Sequence, residues 1–381
     1  MAFLLIGVLI SAPGTYFAGW GYHLQPPFTR IAWHLASFAL GLLASLQWAP
    51  NFFRRYSGRL LLLFSAAFAL AGFLALSAAS EISPEWYLNL GFTALGLSCG
   101  GLLAAAFRLL QPIYEQSPAA TVNLAGGFLG VGCLLPAVLG WICYQAGDFR
   151  LAIVAQAGMA AAMIWIFFRS PARKEPPPPD INFREVFEEI GSPMHVLFAA
   201  LLFFQTAAEM GVAQWTALHL TLRSGMSPGV AMQYLAWYFF LLWVGRYVTQ
   251  GLLKKVPHRR LLLVSAALAW FGLTVLSSAE NEFGAFLGLA LTATGYAAVY
   301  PLMVEWIGDR FAAYHASLFH GIFGLAMMGG FLAPALGGAL ASEFGGSVVM
   351  RVPLAASFLV FVLLVLLWAE SKISVRKALR S

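Results

Sequence analysis

The sequence predicts an all-α integral membrane protein of twelve transmembrane helices, arranged as two pseudo-symmetric bundles of six. Of its 381 residues 60% are hydrophobic and only 10% are charged, whereas a soluble domain carries roughly 25% charged residues. Apolar runs recur along the chain at about the 20-residue length that a helix needs to cross a ~30 Å hydrocarbon core. The second half of the chain also repeats part of the first.

Clusters of Pro, Gly and charged residues separate the apolar runs and delimit the predicted spans. Examples of such breaks are Pro26-Pro27, Arg54-Arg55 and Lys254-Lys255. The twelve predicted spans cover residues 2–23, 29–50, 58–80, 84–110, 117–143, 149–169, 194–219, 227–252, 260–279, 283–307, 313–341 and 349–370.

The basic residues are sorted to one side of these spans. With the N terminus placed in the cytoplasm, seventeen of the 22 Lys and Arg residues fall on the cytoplasmic side and four on the other, while Arg246 lies within a span. Cytoplasmic loops carry such an excess of positive charge. We therefore expect a multi-pass protein of the cell (inner) membrane with both termini in the cytoplasm.

The longest polar stretch lies between the sixth and seventh spans and contains four consecutive prolines, Pro176 to Pro179. A proline run forms an extended spacer, and the pattern over 181–190 predicts a short interfacial helix. We expect an N-terminal bundle over 1–169, a cytoplasmic linker over 170–193, and a C-terminal bundle with a short cytoplasmic tail over 194–381.

The two predicted bundles repeat each other in sequence. At an offset of 200 residues, Leu61-Leu62-Leu63 matches Leu261-Leu262-Leu263, and Gly72 matches Gly272. At an offset of 198, a second block matches: Gly126, Gly132 and Pro136 with Gly324, Gly330 and Pro334. Parallel repeats of this kind build transporters whose solute site lies between the halves near the bilayer midplane.

These features resemble the major facilitator superfamily. The basic loop Arg54-Arg55-Tyr56-Ser57-Gly58-Arg59 keeps the Gly-Arg end of the superfamily's loop signature, with arginine where aspartate is expected. Span 7 reads Gln205 to Trp215 with Glu209 between them, and Gly245-Arg246 follows in span 8. This pattern is similar to the sugar-transporting branch around fucose permease, which implies a secondary transporter. The first half departs from that branch because no carboxylate lies in the interior of spans 1, 4 or 5, Glu85 standing at the very start of span 4.

One carboxylate stands apart from the other fifteen, because only Glu209 lies near the middle of a span. An ionised group there costs about 2.5–3.5 kcal/mol on insertion scales, so such residues are kept for partners or function. Gln205, Thr216 and His219 fall on the same helical face within roughly 80°. We predict that this face and the adjacent Gln214 and Trp215 bind the solute, and that Glu209 carries the coupling ion. The alternative is a carboxylate satisfied by neighbouring helices without a transport role.

Further solute contacts are predicted in other spans. Tyrosine offers a flat ring and a hydroxyl, which suit a sugar, although buried tyrosines also bond to the backbone. The additional candidates are Tyr296 and Tyr300 in span 10, Asn123 in span 5, His320 in span 11, and Tyr16 and Trp20 in span 1.

Four charged residues are predicted to form gates. Arg246 could extend its charge toward the membrane surface, or pair with Glu305 or Asp309 at the cytoplasmic end of span 10. Arg59 in the basic loop completes the set.

No phosphate-binding loop, metal-ligand cluster or nucleophile motif occurs, so we expect neither an enzyme nor a cofactor or metal. The expected partners are the lipid bilayer, a sugar-like small molecule and a coupling cation, either a proton or sodium. Nucleic acid is not expected, and the protein is predicted to be a monomer. The alternatives are an exporter of amphipathic drugs or lipids and an uncoupled facilitator.

Overall fold

The computed structural model describes residues 1–79, 83–116, 118–170, 193–253, 255–310 and 324–378, without the side chains of 111–123, 193–195, 304–305, 307–310, 324–325 and 370–378. These ranges contain twelve α-helices and no strand. The helices are α1 Ala2–Gly19, α2 Phe28–Phe53, α3 Gly58–Ser77, α4 Glu85–Gln116, α5 Pro118–Gln145, α6 Arg150–Arg169, α7 Pro193–Ser224, α8 Pro228–Leu253, α9 His258–Ser278, α10 Glu282–Arg310, α11 Gly324–Phe344 and α12 Val348–Ala378.

Each helix corresponds to one predicted span, and the ends differ by a few residues up to about two turns, apart from the predicted start of span 11 at 313, which lies outside the described residues. Proline begins α5, α7 and α8, where its missing N–H costs nothing. The predicted linker over 170–193 lies almost entirely outside the described residues, as does its predicted interfacial helix. Ten of the helices are long and apolar enough to cross a bilayer. The other two, α8 and α11, have 26 and 21 residues and pack between such helices.

Glycine ends four helices at one end of the bundle, which we call the Gly19 side because α1 ends there. Gly21, Gly147, Gly225 and Gly345 follow α1, α5, α7 and α11 and all adopt positive φ. An L side chain is strained in that conformation, so glycine is the usual residue just past a helix end. The same turn chemistry therefore serves equivalent helices of the two halves.

The two halves use the same internal contacts. In the first half α1 packs on α5 and α6, and α4 packs on α2 and α3. In the second half α7 packs on α11 and α12, and α10 packs on α8 and α9. The matched glycines of the repeat lie in these contacts: a Cβ on Gly72 would lie 2.7 Å from Leu95 of α4, and one on Gly272 would lie 2.5 Å from the backbone nitrogen of Thr292 of α10. The predicted repeat is therefore a repeat of helix packing.

The halves meet mainly through the helix pairs α1 with α7, α2 with α11, and α5 with α8, and through a smaller contact of α1 with α8. Many of their closest approaches lie toward the Gly19 side. The amide nitrogen of Gln214 on α7 donates to the carbonyl of Ile10 on α1 at 2.7 Å. A Cβ on Gly14 would overlap the carbonyl oxygen of Ala213, and one on Gly338 would lie 3.1 Å from the Cβ of Ala32. On this side the two halves are in direct backbone contact.

The α1–α7 contact gives a first testable prediction. We expect Gly14→Ala to destabilise the protein by about 1–3 kcal/mol, the usual cost of overpacking, because its methyl group overlaps the Ala213 carbonyl. The melting temperature of the detergent-purified protein measures this effect.

The matched control is Gly158→Ala in α6, where a Cβ meets nothing within 4 Å. Alanine favours a helix over glycine by about 1 kcal/mol, so this variant should melt at the same or a higher temperature. Equal melting temperatures for the two variants would show that the halves do not approach this closely.

Candidate functional site

The centre of the second half contains an ion pair between consecutive helices. Glu209 lies near the middle of α7, and its Oε1 is 3.6 Å from a terminal guanidinium nitrogen of Arg246 on α8. The Glu209 side chain is 8% exposed and that of Arg246 is 19% exposed. Ionisable groups inside membrane spans normally pair with one another because an isolated charge is costly there. Each of these two residues supplies the counter-charge of the other.

Polar groups from several helices surround this pair. Gln205, one turn before Glu209 on α7, donates from its side-chain amide to Glu209 Oε2 at 3.5 Å. The hydroxyl of Tyr238 on α8 donates to the backbone carbonyl of Glu209 at 3.4 Å. Tyr296 on α10 is close enough to interact with the Glu209 charge.

The first half reaches this place through α5. The thiol of Cys133 interacts electrostatically with both Arg246 and Glu209, and Gly130 packs on the ring of Trp243. The Glu209 site is hereafter the set Gln205, Glu209, Tyr238, Arg246, Tyr296 and Cys133. It thus joins α5, α7, α8 and α10.

Two groups of the Glu209 site retain unused hydrogen-bonding capacity. Among the described residues, neither Nε of Arg246 nor Oε1 of Gln205 has a hydrogen-bond partner, although both atoms are buried. A buried polar atom without a partner costs about 1–3 kcal/mol. One donor and one acceptor are therefore available to a polar ligand.

The remaining polar residues of the predicted α7 face are also buried. Thr216 and His219 are 0% and 3% exposed, and the ring of His219 lies near the backbone of Leu276 on α9. His219 is ten residues beyond Glu209, about 15 Å along the helix. The polar face therefore extends from the Glu209 site toward the Gly19 side, and one small solute does not span it.

Gln214 and Trp215 contact other helices. Gln214 bonds to Ile10 as described above, and the indole nitrogen of Trp215 donates to the carbonyl of Pro334 on α11 at 3.1 Å. The Trp215 ring lies 6.3 Å from the rings of Phe17 and Phe28. These two predicted solute contacts take part in the junction of the halves on the Gly19 side.

Of the other predicted solute contacts, Tyr16, Trp20 and Tyr300 are not brought to the Glu209 site. The hydroxyl of Tyr16 donates to Gln156 at 2.6 Å, and its ring lies 5.4 Å from that of Trp20, within the first half. Tyr300 is partly buried and packs on a separate apolar cluster of the second half. The side chain of Asn123 and all of His320 lie outside the described residues.

The predicted gates also differ from the observed contacts. Arg246 pairs with Glu209, whereas the side chains of its predicted partners, Glu305 and Asp309, are outside the described set. Arg59 donates from Nε to the carbonyl of Phe167 at 3.0 Å and from its terminal nitrogen to the carbonyl of Phe168. The last carbonyls of a helix lack intrahelical partners, so Arg59 satisfies the end of α6 within its own half.

The pairing of Glu209 with Arg246 was not predicted, although its signal is present in the sequence. The two residues are isolated charges in consecutive predicted spans, and an isolated charge in a span normally has a counter-charge. Tyr238 and Cys133 were also missed. Both belong to residue types that are common in apolar helices, so nothing in one sequence distinguishes them.

Comparison with known proteins identifies the class. The profile of the Major Facilitator Superfamily matches residues 1–328, and the chain therefore belongs to this superfamily. It is an integral, multi-pass membrane protein with the transporter fold. The predicted fold class and the predicted superfamily are confirmed.

Solved structures of similar fold cover nearly the whole chain. The transporter FucP in its outward conformation matches with a TM-score of 0.67 at 15% identity, over 95% of this chain and 96% of that one. A D-xylose-proton symporter matches with a TM-score of 0.73 at 14% identity, over 94% of each chain. The E. coli xylose transporter XylE, partially occluded and inward open, matches at 0.70 and 13% identity, over 95% and 96%. No curated protein sequence matches the chain. At these identities the similarity shows the fold alone.

The buried ion pair gives a second prediction. Removing one partner of a buried pair costs about 3–5 kcal/mol because it leaves an uncompensated charge. We expect Glu209→Gln and Arg246→Gln each to lower the melting temperature. The double variant should lose less free energy of unfolding than the two single variants together. The difference, the coupling energy, should be about 0.5–3 kcal/mol.

The matched control is the exposed pair of Arg223 and Glu280, 3.3 Å apart with side chains 35% and 79% exposed. Such a pair contributes about 0–1 kcal/mol, so Arg223→Gln should leave the melting temperature almost unchanged. Strictly additive losses at Glu209 and Arg246 would contradict the observed pairing.

Proposed function

We propose that this protein is a secondary active transporter that moves a small hydroxylated, sugar-like solute by alternating access, coupled to a proton carried by Glu209. The observation that carries the proposal is the burial of Glu209 in mid-span against Arg246. A carboxylate in this position can exist as a paired anion or as a neutral acid. Switching between these forms changes the charge of the site, which is what coupling requires.

Protonation would act on the arginine. The neutral acid no longer attracts the guanidinium of Arg246, which is then free to rearrange or to bind a solute. A return to the anion restores the pair. Because the pair joins α7 and α8, this exchange alters a helix contact at the centre of the second half.

The contacts between the halves support alternating access. Rocking of one half against the other around a central site is the general mechanism of such repeats. Opening the Gly19 side would separate α1 from α7 and α2 from α11, including the Gln214–Ile10 bond. If the termini are cytoplasmic, as the charge distribution predicts, this side faces outward and the observed arrangement is closed to the exterior.

The chemistry of the Glu209 site supports a hydroxylated solute. Tyr238 and Tyr296 provide rings and hydroxyls, and Gln205 provides an amide with a free acceptor. Aromatic rings pair an apolar face with a polar edge, as sugars do. The solved structures of a fucose:proton symporter and of a D-xylose-proton symporter have the same fold as this protein.

A second candidate is an exporter of amphipathic compounds. It is favoured by the aromatic content of 15%. It is also favoured because α5 brings only uncharged residues, Cys133 and Gly130, to the Glu209 site. An uncoupled facilitator is the remaining alternative from the sequence analysis.

A ligand panel separates the solute classes and is our third prediction. A ligand that binds only the native state raises the melting temperature. At a concentration of 100 times its Kd it adds about 2.7 kcal/mol to the free energy of unfolding. We expect sugars or their close derivatives to stabilise the detergent-purified protein, whereas lipids and lipophilic cations should not. Stabilisation by the amphipathic compounds alone would contradict the proposal and favour the exporter.

Coupling gives a fourth prediction, measured in proteoliposomes with the best-stabilising solute from that panel. Glu209→Gln should abolish accumulation driven by a proton gradient, because glutamine cannot carry the proton. It should retain solute exchange between loaded vesicles and medium, because exchange moves no net proton.

Glu280→Gln, the same substitution at an exposed carboxylate, is the control and should accumulate solute normally. Undiminished gradient-driven accumulation by Glu209→Gln would refute Glu209 as the proton carrier. Accumulation driven by a sodium gradient in the absence of a proton gradient would identify sodium as the coupling ion.

A further inference from the structure

The charge balance of the Glu209 site points to a more specific solute. We propose that the solute is a hydroxylated monocarboxylate of the sugar-acid type, and that its carboxylate binds Arg246 when Glu209 is protonated. This inference rests on the proposed function and names its substrate class.

The first step of the argument is the count of charges. Of the described side chains in the Glu209 site, only Glu209 and Arg246 carry a charge, so the site is neutral as observed. A proton on Glu209 leaves one unbalanced guanidinium. A buried charge without a partner costs several kcal/mol. A solute with one negative charge restores neutrality, whereas a neutral sugar leaves +1 and a dicarboxylate leaves −1.

The described side chains of the surrounding helices do not alter this balance. Tyr238, Tyr296 and Cys133 are the other titratable groups that face the pair, and all are neutral in their protonated forms. Helices α1, α11 and α12 also pack against α7. The charged groups with described side chains in these helices are Glu343 and Arg351 at the Gly19 side, besides the amino terminus before α1. At the opposite end of α12, outside the described side chains, stand the charged residues Glu370, Lys372, Arg376 and Lys377. None of these lies in mid-span with the ion pair.

The second step is the geometry of Arg246. Its contact with Glu209 is a single approach of 3.6 Å, longer than the 2.7–2.9 Å of a charge-assisted hydrogen bond. Its Nε is buried and has no partner among the described residues. A guanidinium has five donors in a fork that matches a carboxylate. The observed pair uses little of this capacity, so a solute carboxylate can bind more strongly than Glu209 does.

The third step is access. The Arg246 side chain is 19% exposed and that of Glu209 only 8%, so the cation is the more accessible member of the pair. The free acceptor of Gln205 can then receive a solute hydroxyl. The ring of Trp243 already fills the space beside Gly130 of α5, which limits the room for a bulky apolar substituent.

The test uses three solutes with the same six-carbon skeleton and none, one or two carboxylates: galactose, galacturonate and galactarate. Melting temperatures of the purified full-length protein are measured against solute concentration at pH 5.5 and 7.5. Carboxylates of ordinary pKa, about 4, are ionised at both values, so a pH effect reports on the protein. We expect galacturonate to bind at least tenfold more tightly than the other two, and more tightly at pH 5.5.

Variants assign this preference to the ion pair. Glu209→Gln mimics the protonated acid and should bind galacturonate equally well at both pH values. Arg246→Gln should weaken galacturonate binding by about tenfold or more, since hydrogen bonds to charged groups contribute about 1.5–3 kcal/mol. Arg223→Gln removes the same charge at an exposed site and should bind like the unmodified protein.

If Arg246→Gln fails to fold, Arg246→Lys is the substitute, because it keeps the charge but loses the forked donors. Galacturonate binding should then still weaken by about tenfold, the smallest loss expected for Arg246→Gln. If galactose and galacturonate bind equally well, and substitution of Arg246 changes the binding of neither, the sugar-acid assignment is overturned and sugar transport stands. Stabilisation by amphipathic compounds and by none of the three hexose derivatives would overturn both proposals.

Discussion

In a bilayer interior the protein must supply the counter-charge for each charge that it buries. Glu209 and Arg246 do this for each other across α7 and α8, at 3.6 Å and with both side chains largely buried. The surrounding arrangement follows from this pairing. Gln205 donates to the carboxylate, Tyr238 donates to the backbone carbonyl of Glu209, and α5 places the neutral side chain of Cys133 near the pair. Because the pair is buried, a change in its charge affects several helices at once.

The junction of the halves provides the means to convert such a change into movement. On the Gly19 side the halves are joined by backbone proximity and by a few specific bonds, such as Gln214 to Ile10 and the packing of Trp215 on Phe28. Small residues permit this close approach, as in other membrane helix interfaces. Glu209, Gln214 and Trp215 lie within two turns of α7, so the charged site and the junction share one helix. Movement of α7 therefore affects both.

The sequence was sufficient for the fold because the bilayer imposes simple rules. Span length follows from hydrocarbon thickness and the repeat of glycines such as Gly72 and Gly272 follows from helix packing, and both can be read locally. Helix ends were harder, because residues such as Gly21 and Gly225 allow turns whose exact position depends on neighbouring helices. The burial of Glu209 was also predictable, since an uncharged neighbourhood is visible in the sequence itself.

The composition of the site was less predictable. Helical periodicity places residues on a face but does not say which helix that face contacts. Thr216, His219 and Glu209 share a face, yet about 15 Å separates His219 from Glu209 along the axis. Tyr16 and Arg59 carry suitable chemistry but satisfy Gln156 and the end of α6 instead. Such pairings depend on tertiary contacts between distant segments, which a single sequence does not reveal.

The central claim is that protonation of Glu209 and binding of the solute are one linked event. Proton uptake on solute addition, followed with a pH electrode in weakly buffered detergent solution near neutral pH, tests it most directly. The account predicts up to one proton bound per protein molecule when the stabilising solute is added, and none in Glu209→Gln at saturating solute. Equal proton uptake by the two proteins would contradict the account.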